Sequence, residues 1–333
     1  MRNDKCPVTS DKSKLFPPGT RTILVTGGAG FIGSHVVERL AASGARVTAL
    51  DNFSTGRREN VAHLEKKLAL LAADLLDRHV LKEALRGVHA VVHLAAIPSV
   101  TRSMKDPAAT HRVNVEGMFA LFDEARKAGV KRIVMASSSS VYGDTERLPK
   151  IESDLPRPLS PYGASKLAGE AYAQAFHRGF GLETVCLRFF NVFGPRQDPA
   201  SEYAAVVPRF ITALLRGHAA TIYGDGRQTR DFTFVSDAVG ATVAASTRGT
   251  PGAVYNIGGG SRVELLDVFE LIGRVTGRPL RLNMIEPQAG DMRDTYADTD
   301  RARTDLGFAP AVTLEQGLRA QFQWMTEAGL FNP

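Results

Sequence analysis

Six short apolar runs, most of them followed by a segment of helical length, narrow the fold of this 333-residue chain more than any other feature. They are "TILVTG" (22–27), "RVTALD" (46–51), "LALLAAD" (68–74), "AVVHLAA" (90–96), "RIVMASS" (132–138) and "TVCLRFFNV" (184–192). Each is continuously apolar rather than alternating, the pattern of strands that helices cover on both faces of a parallel sheet. Helix-length segments lie near 31–43, 77–86, 108–128 and 161–178. This order predicts an α/β fold on a doubly wound parallel sheet, with ligands at the C-terminal strand ends.

After about residue 192 the regularity stops. Helices are expected near 204–216, 236–248 and 263–276, and "TIYGDGRQTRDFTFV" reads as a turn between two extended pieces. We expect a sheet domain over 21–190, with 232–252 returning to it. A smaller α/β portion over 191–231 and 253–333 would lie across the strand ends. Residues 1–20 read as a disordered leader, with no apolar core of a signal peptide.

Composition removes several classes. A formal charge of +6 suggests nucleic acid, but residues 1–21 alone carry a surplus of +3. No block of Lys and Arg with interleaved aromatics occurs elsewhere, so no nucleic-acid partner is expected. No apolar run approaches the roughly 20 residues of a membrane span. Cys6 lies in the polar leader and Cys186 in an apolar run, so a disulfide framework is excluded, Cys186 reads as a buried thiol, and the cytosol is the expected compartment.

"VTGGAGFIGSH" sets Gly27, Gly30 and Gly33 between a strand and a helix. Glycines there let the turn close and the backbone approach a pyrophosphate at the helix N-terminus. The second strand ends in Asp51, placed to accept from adenosine ribose hydroxyls. An acid there repels a 2′-phosphate and favours NAD, while Arg57 and Arg58 leave NADP tolerance open.

Residues 160–166 read "SPYGASK". Ser160 and Pro161 suit a helix start, which puts Tyr162 and Lys166 one turn apart on one face. A cation near a phenol lowers its pKa toward neutrality, where the tyrosine can take a proton. Four serines at 137–140 end the fifth strand beside it; Tyr142 reads as packing.

Together these motifs resemble the extended short-chain dehydrogenase/reductase superfamily, and within it the nucleotide-sugar epimerases and dehydratases, over nearly everything from residue 21 onward. The resemblance implies a Rossmann-type domain with bound NAD and no metal. It implies cofactor contacts from Gly27, Gly30, Phe31, Ile32 and Gly33, from "DNFSTG" through Asp51, Asn52, Ser54 and Gly56, and from "ADL" through Asp74 and Leu75. "HLAA" adds Leu94, Ala95 and Ala96, and "NVEG" adds Asn114. Tyr162 and Lys166 match the family's Y-x-x-x-K pair beside the nicotinamide, and Ser138 its catalytic hydroxyl.

Ser139 and Ser140 stand where dehydratases of this superfamily resemble one another in carrying Asp-Glu, and where decarboxylases carry Glu at the second position. What remains is 4-epimerisation of a UDP-hexose through a 4-keto intermediate. "RFFNVFGPRQDPASEYAAVVPRF" (188–210) resembles bacterial UDP-N-acetylglucosamine/UDP-glucose 4-epimerases. On that likeness Ser138, Ser139, Asn191, Val207, Tyr223, Arg230 and Arg293 would meet the UDP-sugar, the two arginines at the diphosphate. Thr295 would leave room for an acetamido group, unless Tyr296 is the wall instead. Relatives acting on UDP-glucuronate resemble one another in an Arg where this chain has Asp198. A homodimer is implied through 108–128 and 161–178, with Met118, Phe119, Phe122, Leu167 and Tyr172 on their faces. The alternatives are a UDP-glucuronate 4-epimerase, a dehydratase, decarboxylase or reductase of the same scaffold, and a non-enzymatic NAD-binding regulator.

Overall fold

The computed structural model describes residues 21–65, 67–199, 204–278, 281–287, 290 and 292–328. The leader expected over 1–20 lies outside them. Seven parallel strands form the central sheet: β1 (Thr22–Thr26), β2 (Arg46–Asp51), β3 (Leu68–Ala72), β4 (Ala90–His93), β5 (Arg132–Ser138), β6 (Glu183–Phe189) and a seventh, Ala253–Ile257. Their spatial order is seventh, β6, β5, β4, β1, β2, β3. Strand order reverses between β1 and β4, the switch point at which such sheets open a crevice for ligands.

The apolar runs are buried on both faces because helices cover both. Val25 and Ala49 look toward the helix α1 (Phe31–Ala42), with Val36, Val37 and Leu40 packed against them. Leu24 and Val91 look the other way, toward Leu121 and Phe122. This Rossmann-type sheet is the fold that the strand pattern predicts.

Residue 108–128 is not one plain helix. Pro107–His111 and Met118–Lys127 flank a π-helical turn, Arg112–Gly117. The long helix Pro161–Phe180 starts as expected: Ser160 Oγ accepts from Gly163 N at 3.1 Å, with Pro161 in the first turn. It ends at Gly181, whose φ of +70° is left-handed.

Two sets of pairings shape the second half. The strand Ala253–Ile257 pairs with β6 in parallel, so the central sheet takes residues beyond the expected return at 252. The two extended pieces of "TIYGDGRQTRDFTFV" do not pair with each other: Ala220–Tyr223 runs parallel to Leu282–Ile285, and Thr229–Arg230 antiparallel to Val263–Glu264. Partners far along the chain take their edges.

Candidate active site

A cavity of about 1140 Å3 opens over the C-terminal strand ends, walled by both halves of the chain. At one end lies the glycine turn. Gly27 has φ +70°, and a Cβ there would meet Ala95 N at 2.7 Å. The first turn of α1 has no side-chain cap, and Gly30, Phe31, Ile32 and Gly33 face the cavity. Uncapped N–H groups at a helix start, with glycine backbone at the approach, fit the pyrophosphate of a dinucleotide.

Asp51 ends β2, with Oδ2 accepting from Ala29 N at 2.9 Å and Oδ1 from Phe53 N at 2.8 Å. These bonds fix an acid where ribose hydroxyls would lie. Asn52 Nδ2 donates to Asp74 Oδ2 at 2.8 Å, joining the loops after β2 and β3. Ser54, Asp74, Leu75, Leu94, Ala95 and Ala96 complete this wall. Two expected contacts stand off it. Gly56 makes room for Asp51, since a Cβ there would come within 2.7 Å of the carboxylate. Asn114 is buried in the π-helical turn, accepting from Ile97 N at 2.8 Å and donating to Ser165 Oγ at 3.1 Å. It fastens the segment after β4 to the long helix. Of the two nearby arginines, Arg57 donates to Asp198 Oδ1 at 2.7 Å across the cavity rim, and Arg58 lies over the Phe53 ring.

The reacting end is where β5 meets the long helix. Ser138, Tyr162 and Lys166 line the cavity together with Ser139 and Ser140. Lys166 Nζ donates to Ala136 O at 2.8 Å and stands 5.8 Å from the Tyr162 ring centroid. Burial pulls its pKa down to about 8. Burial pushes the Tyr162 phenol above its ordinary value, and a hydrogen bond with Ser138 pulls the other way. The lowering expected from Lys166 is not among the causes: desolvation dominates, and only the Ser138 hydrogen bond opposes it. His93, at the end of β4, shares a 2.8 Å hydrogen bond with Thr26 Oγ1, and burial holds its pKa at about 3.

In the substrate half, Asn191, Val207, Tyr223 and Arg230 line the cavity. Asn191 has φ +35°, a left-handed conformation unusual for a non-glycine residue. Its Nδ2 donates to Thr295 Oγ1 at 3.0 Å and Asp231 O at 3.1 Å. Arg230 Nη1 donates to Thr229 O and Arg293 O, leaving its guanidinium held against the wall. Arg293 is off the wall: it pairs bidentately with Asp225 at 2.8 and 2.9 Å in solvent. Thr295 is off it too. At 2% exposure it packs beneath Asn191, and Tyr296 does not reach the cavity either; Gly290 and Met292 represent that segment. A one-residue alignment could not see that the chain turns inward there. Arg102, Arg209, Gln228 and Met292 also line the cavity with no motif to mark them. Arg209, 5.1 Å over the Tyr223 ring, lies one helical turn after Ala205 and Val206, which also line the cavity.

A sequence profile described as the NAD dependent epimerase/dehydratase family matches residues 23–258. The chain belongs to this family. Its cofactor is NAD. It is 41% identical over 301 residues to the UDP-glucose 4-epimerase of Mycolicibacterium smegmatis, covering 89% of this chain and 95% of that one. The fold is similar to that of the Thermotoga maritima UDP-glucose 4-epimerase solved with UDP-glucose, at TM-score 0.88 and 37% identity over 92% of this chain and 99% of that one. It is equally similar, at TM-score 0.88 and 36% identity, to the Methanobrevibacter ruminantium UDP-N-acetylglucosamine 4-epimerase in complex with UDP-N-acetylmuramic acid, over 93% and 99%. Among the described residues no helix is long and apolar enough to cross a membrane, and no group of three or more His, Cys, Asp or Glu could hold a metal ion.

Proposed function

We propose that this member of the family interconverts UDP-hexoses epimeric at C4, both UDP-glucose/UDP-galactose and UDP-N-acetylglucosamine/UDP-N-acetylgalactosamine. One observation carries the reading. The described carboxylates on the cavity wall are Asp51, Asp74 and Asp198, all at the cofactor end, and around Tyr162 the wall offers hydroxyls. Elimination of water needs a further acid and base beside the sugar; oxidation and return at C4 needs only the tyrosine. Asp198, tied to Arg57, stands where relatives acting on UDP-glucuronate resemble one another in an Arg, so a substrate carboxylate would lack that cation here.

NAD, when bound, supplies the hydride acceptor and donor at C4. The remaining steps belong to the chain's own side chains. Tyr162 takes the proton from O4 and later returns it, and Ser138 orients that hydroxyl and passes the proton. Lys166, anchored on Ala136 O, holds positive charge below the phenol and hydrogen-bonds the cofactor ribose. Arg230 binds the diphosphate while the sugar turns, Asn191 and Ser139 meet the sugar side, and Val207 and Tyr223 the nucleoside. Arg293 would reach the diphosphate only by leaving Asp225.

Incubation with a panel of UDP-sugars, without added NAD, tests the reading. We expect mixtures of 4-epimers with no net change at 340 nm. Accumulating NADH, a released 4-keto sugar or carbon dioxide would refute it.

We further propose a homodimer through the long helix and its neighbour Met118–Lys127. Met118 and Phe122 are buried inside the protomer. Phe119, half-exposed Tyr172 and Phe180 remain, with the Phe119 and Tyr172 rings tilted against each other at 5.3 Å. Two such copies would form a four-helix, isologous contact. Light scattering should give twice the chain mass of 35.9 kDa, and a monomer at micromolar concentration would overturn it. A cytosolic setting suits the free, buried Cys186 thiol.

A further inference from the structure

Behind the reacting end, off the cavity wall, lies a buried ion pair between Glu170 and Arg188. Tyr162, Lys166 and Glu170 recur every fourth residue of the long helix, so all three share one stripe. That stripe lies on the end of β5. Ser138 and Tyr162 line the cavity together, Ala136 O accepts from Lys166, and Ser137 Oγ donates to Glu170 Oε1 at 2.5 Å. The Glu170 carboxylate also accepts from Arg188 Nε at 2.9 Å and Nη2 at 2.7 Å. Arg188 reaches it from β6, with its guanidinium 4.6 Å over the Tyr142 ring. Tyr142 Oη donates to Asn256 Oδ1 in the seventh strand at 2.6 Å. Glu170 and Arg188 are 4% and 3% exposed, and neither lines the cavity.

A buried ion pair is a weak source of stability, because desolvating both charges offsets their attraction and an apolar pair of similar volume often does as well. What an apolar pair lacks is direction. We propose that Glu170 and Arg188 are positioning residues: their bonds to each other and to Ser137 fix the register of the long helix on β5, and so the distance from Tyr162 and Lys166 to Ser138. A shift of one residue moves a helix by about 1.5 Å, and a misplacement of about 1 Å at a reacting group can lower turnover on the order of 10²-fold.

The inference rests on the epimerase reading for its rate measurement, and a second readout needs no turnover. Glu170→Leu and Arg188→Met should each lower Tm, since each leaves a buried charge unpaired. The double variant should regain a Tm within about 2 °C of wild type. Its kcat should stay at least roughly tenfold low, with KM within about twofold. Ser137→Ala keeps the ion pair and removes its tie to β5; because Ser137 also lines the cavity, the expected loss of kcat by about tenfold should come with normal folding and KM within about twofold. Tyr162 ionisation, read as phenolate absorbance against the matching Tyr162→Phe protein, should move by about half a pH unit or more in the double and Ser137→Ala variants. If the double variant regains kcat with Tm, or Ser137→Ala keeps wild-type kcat and phenol midpoint, the pair is structural only. Should the double variant fail to fold, Ser137→Ala alone decides. A wild type that epimerises nothing would defeat the functional reading while leaving the phenol titration to judge this one.

Discussion

Gly33→Ala puts the glycine turn under a measurable load. A Cβ on Gly33 would stand 1.9 Å from Gly27 O and 2.8 Å from Gly27 C, where ordinary contact begins at 3.4 Å. Both neighbours are backbone, so neither can rotate aside. The start of α1 must retreat by roughly 1.5 Å, from 1.9 to 3.4 Å, or the turn must open by as much. Overpacking of this kind costs about 1–3 kcal/mol, and rigid neighbours place it at the upper end. At about 2–4 °C per kcal/mol for a domain of comparable size, Tm should fall by roughly 5–10 °C. The same displacement carries the first-turn N–H groups out of reach of a pyrophosphate. Each hydrogen bond to a charged group contributes about 1.5–3 kcal/mol, so losing two should weaken NAD by more than about 10²-fold. Thermal unfolding gives the first number, and absorbance of denatured supernatants at 260 and 340 nm the second. Wild type should be isolated with nucleotide bound, because the hydride is returned in each cycle, and the variant should be nearly empty. A Gly33→Ala protein with full nucleotide content and unchanged Tm would refute the close-approach argument.

Tyr162→Phe keeps the ring and removes the hydroxyl, so turnover should fall about 10²–10⁴-fold with NAD content and Tm close to wild type; more than half of normal activity would end the proposed proton transfer. His93 should shape the acid limb of stability: its folded pKa, held at about 3 instead of 6.5, means the unfolded chain takes up a proton below pH 6.5 that the fold refuses. Stability should therefore fall by up to about 1.4 kcal/mol per pH unit as pH drops from 6.5 toward 3, and His93→Gln should flatten that slope in urea titrations; parallel profiles would contradict it. Asp231, raised to about 6 by burial, has the opposite sign between about pH 4 and 6 and is common to both proteins. Thr295→Tyr should lower Tm and activity on UDP-glucose and UDP-N-acetylglucosamine alike, since Thr295 is packed beneath the wall; loss confined to the acetylated sugar would restore it as the gate.

Much of the sheet was legible because period and hydrophobicity are local. "RVTALD" and "RIVMASS" coincide with β2 and β5, and the Ser160 cap marks the start of the long helix to the residue. The glycine turn, Asp51, Ser138, Tyr162 and Lys166 share one cavity wall, as local spacing suggests, because each sits at a strand end or helix start. Asn114, Arg293 and Thr295 stand off the wall for one shared reason. Each is satisfied by a partner from another segment — Ile97 and Ser165, Asp225, Asn191 — and nothing in the local spacing announces it. The Tyr162 phenol shows the same limit in electrostatics. Neighbouring charge can be guessed from spacing, but desolvation depends on everything that closes over the group.

The seventh strand, Ala253–Ile257, also bears on how members of this family can exchange parts. The chain leaves the cofactor half after β6, passes through the substrate-facing segments, and comes back to pair along Val185–Phe189 of β6. Asn256 within it donates to Lys150 O and Asp298 O, stitching both halves at one residue. A chimaera joined once, near residue 190, would pair one parent's β6 with the other parent's edge strand and split the Tyr142–Asn256 contact between them. Recombination that changes sugar preference without disturbing the sheet therefore calls for two junctions, one on each side of an inserted segment. New specificities on this scaffold are accordingly expected to arise by cassette replacement within 191–231 or after 258, with the segment between them, packed on α1 and β6, inherited together with the cofactor half.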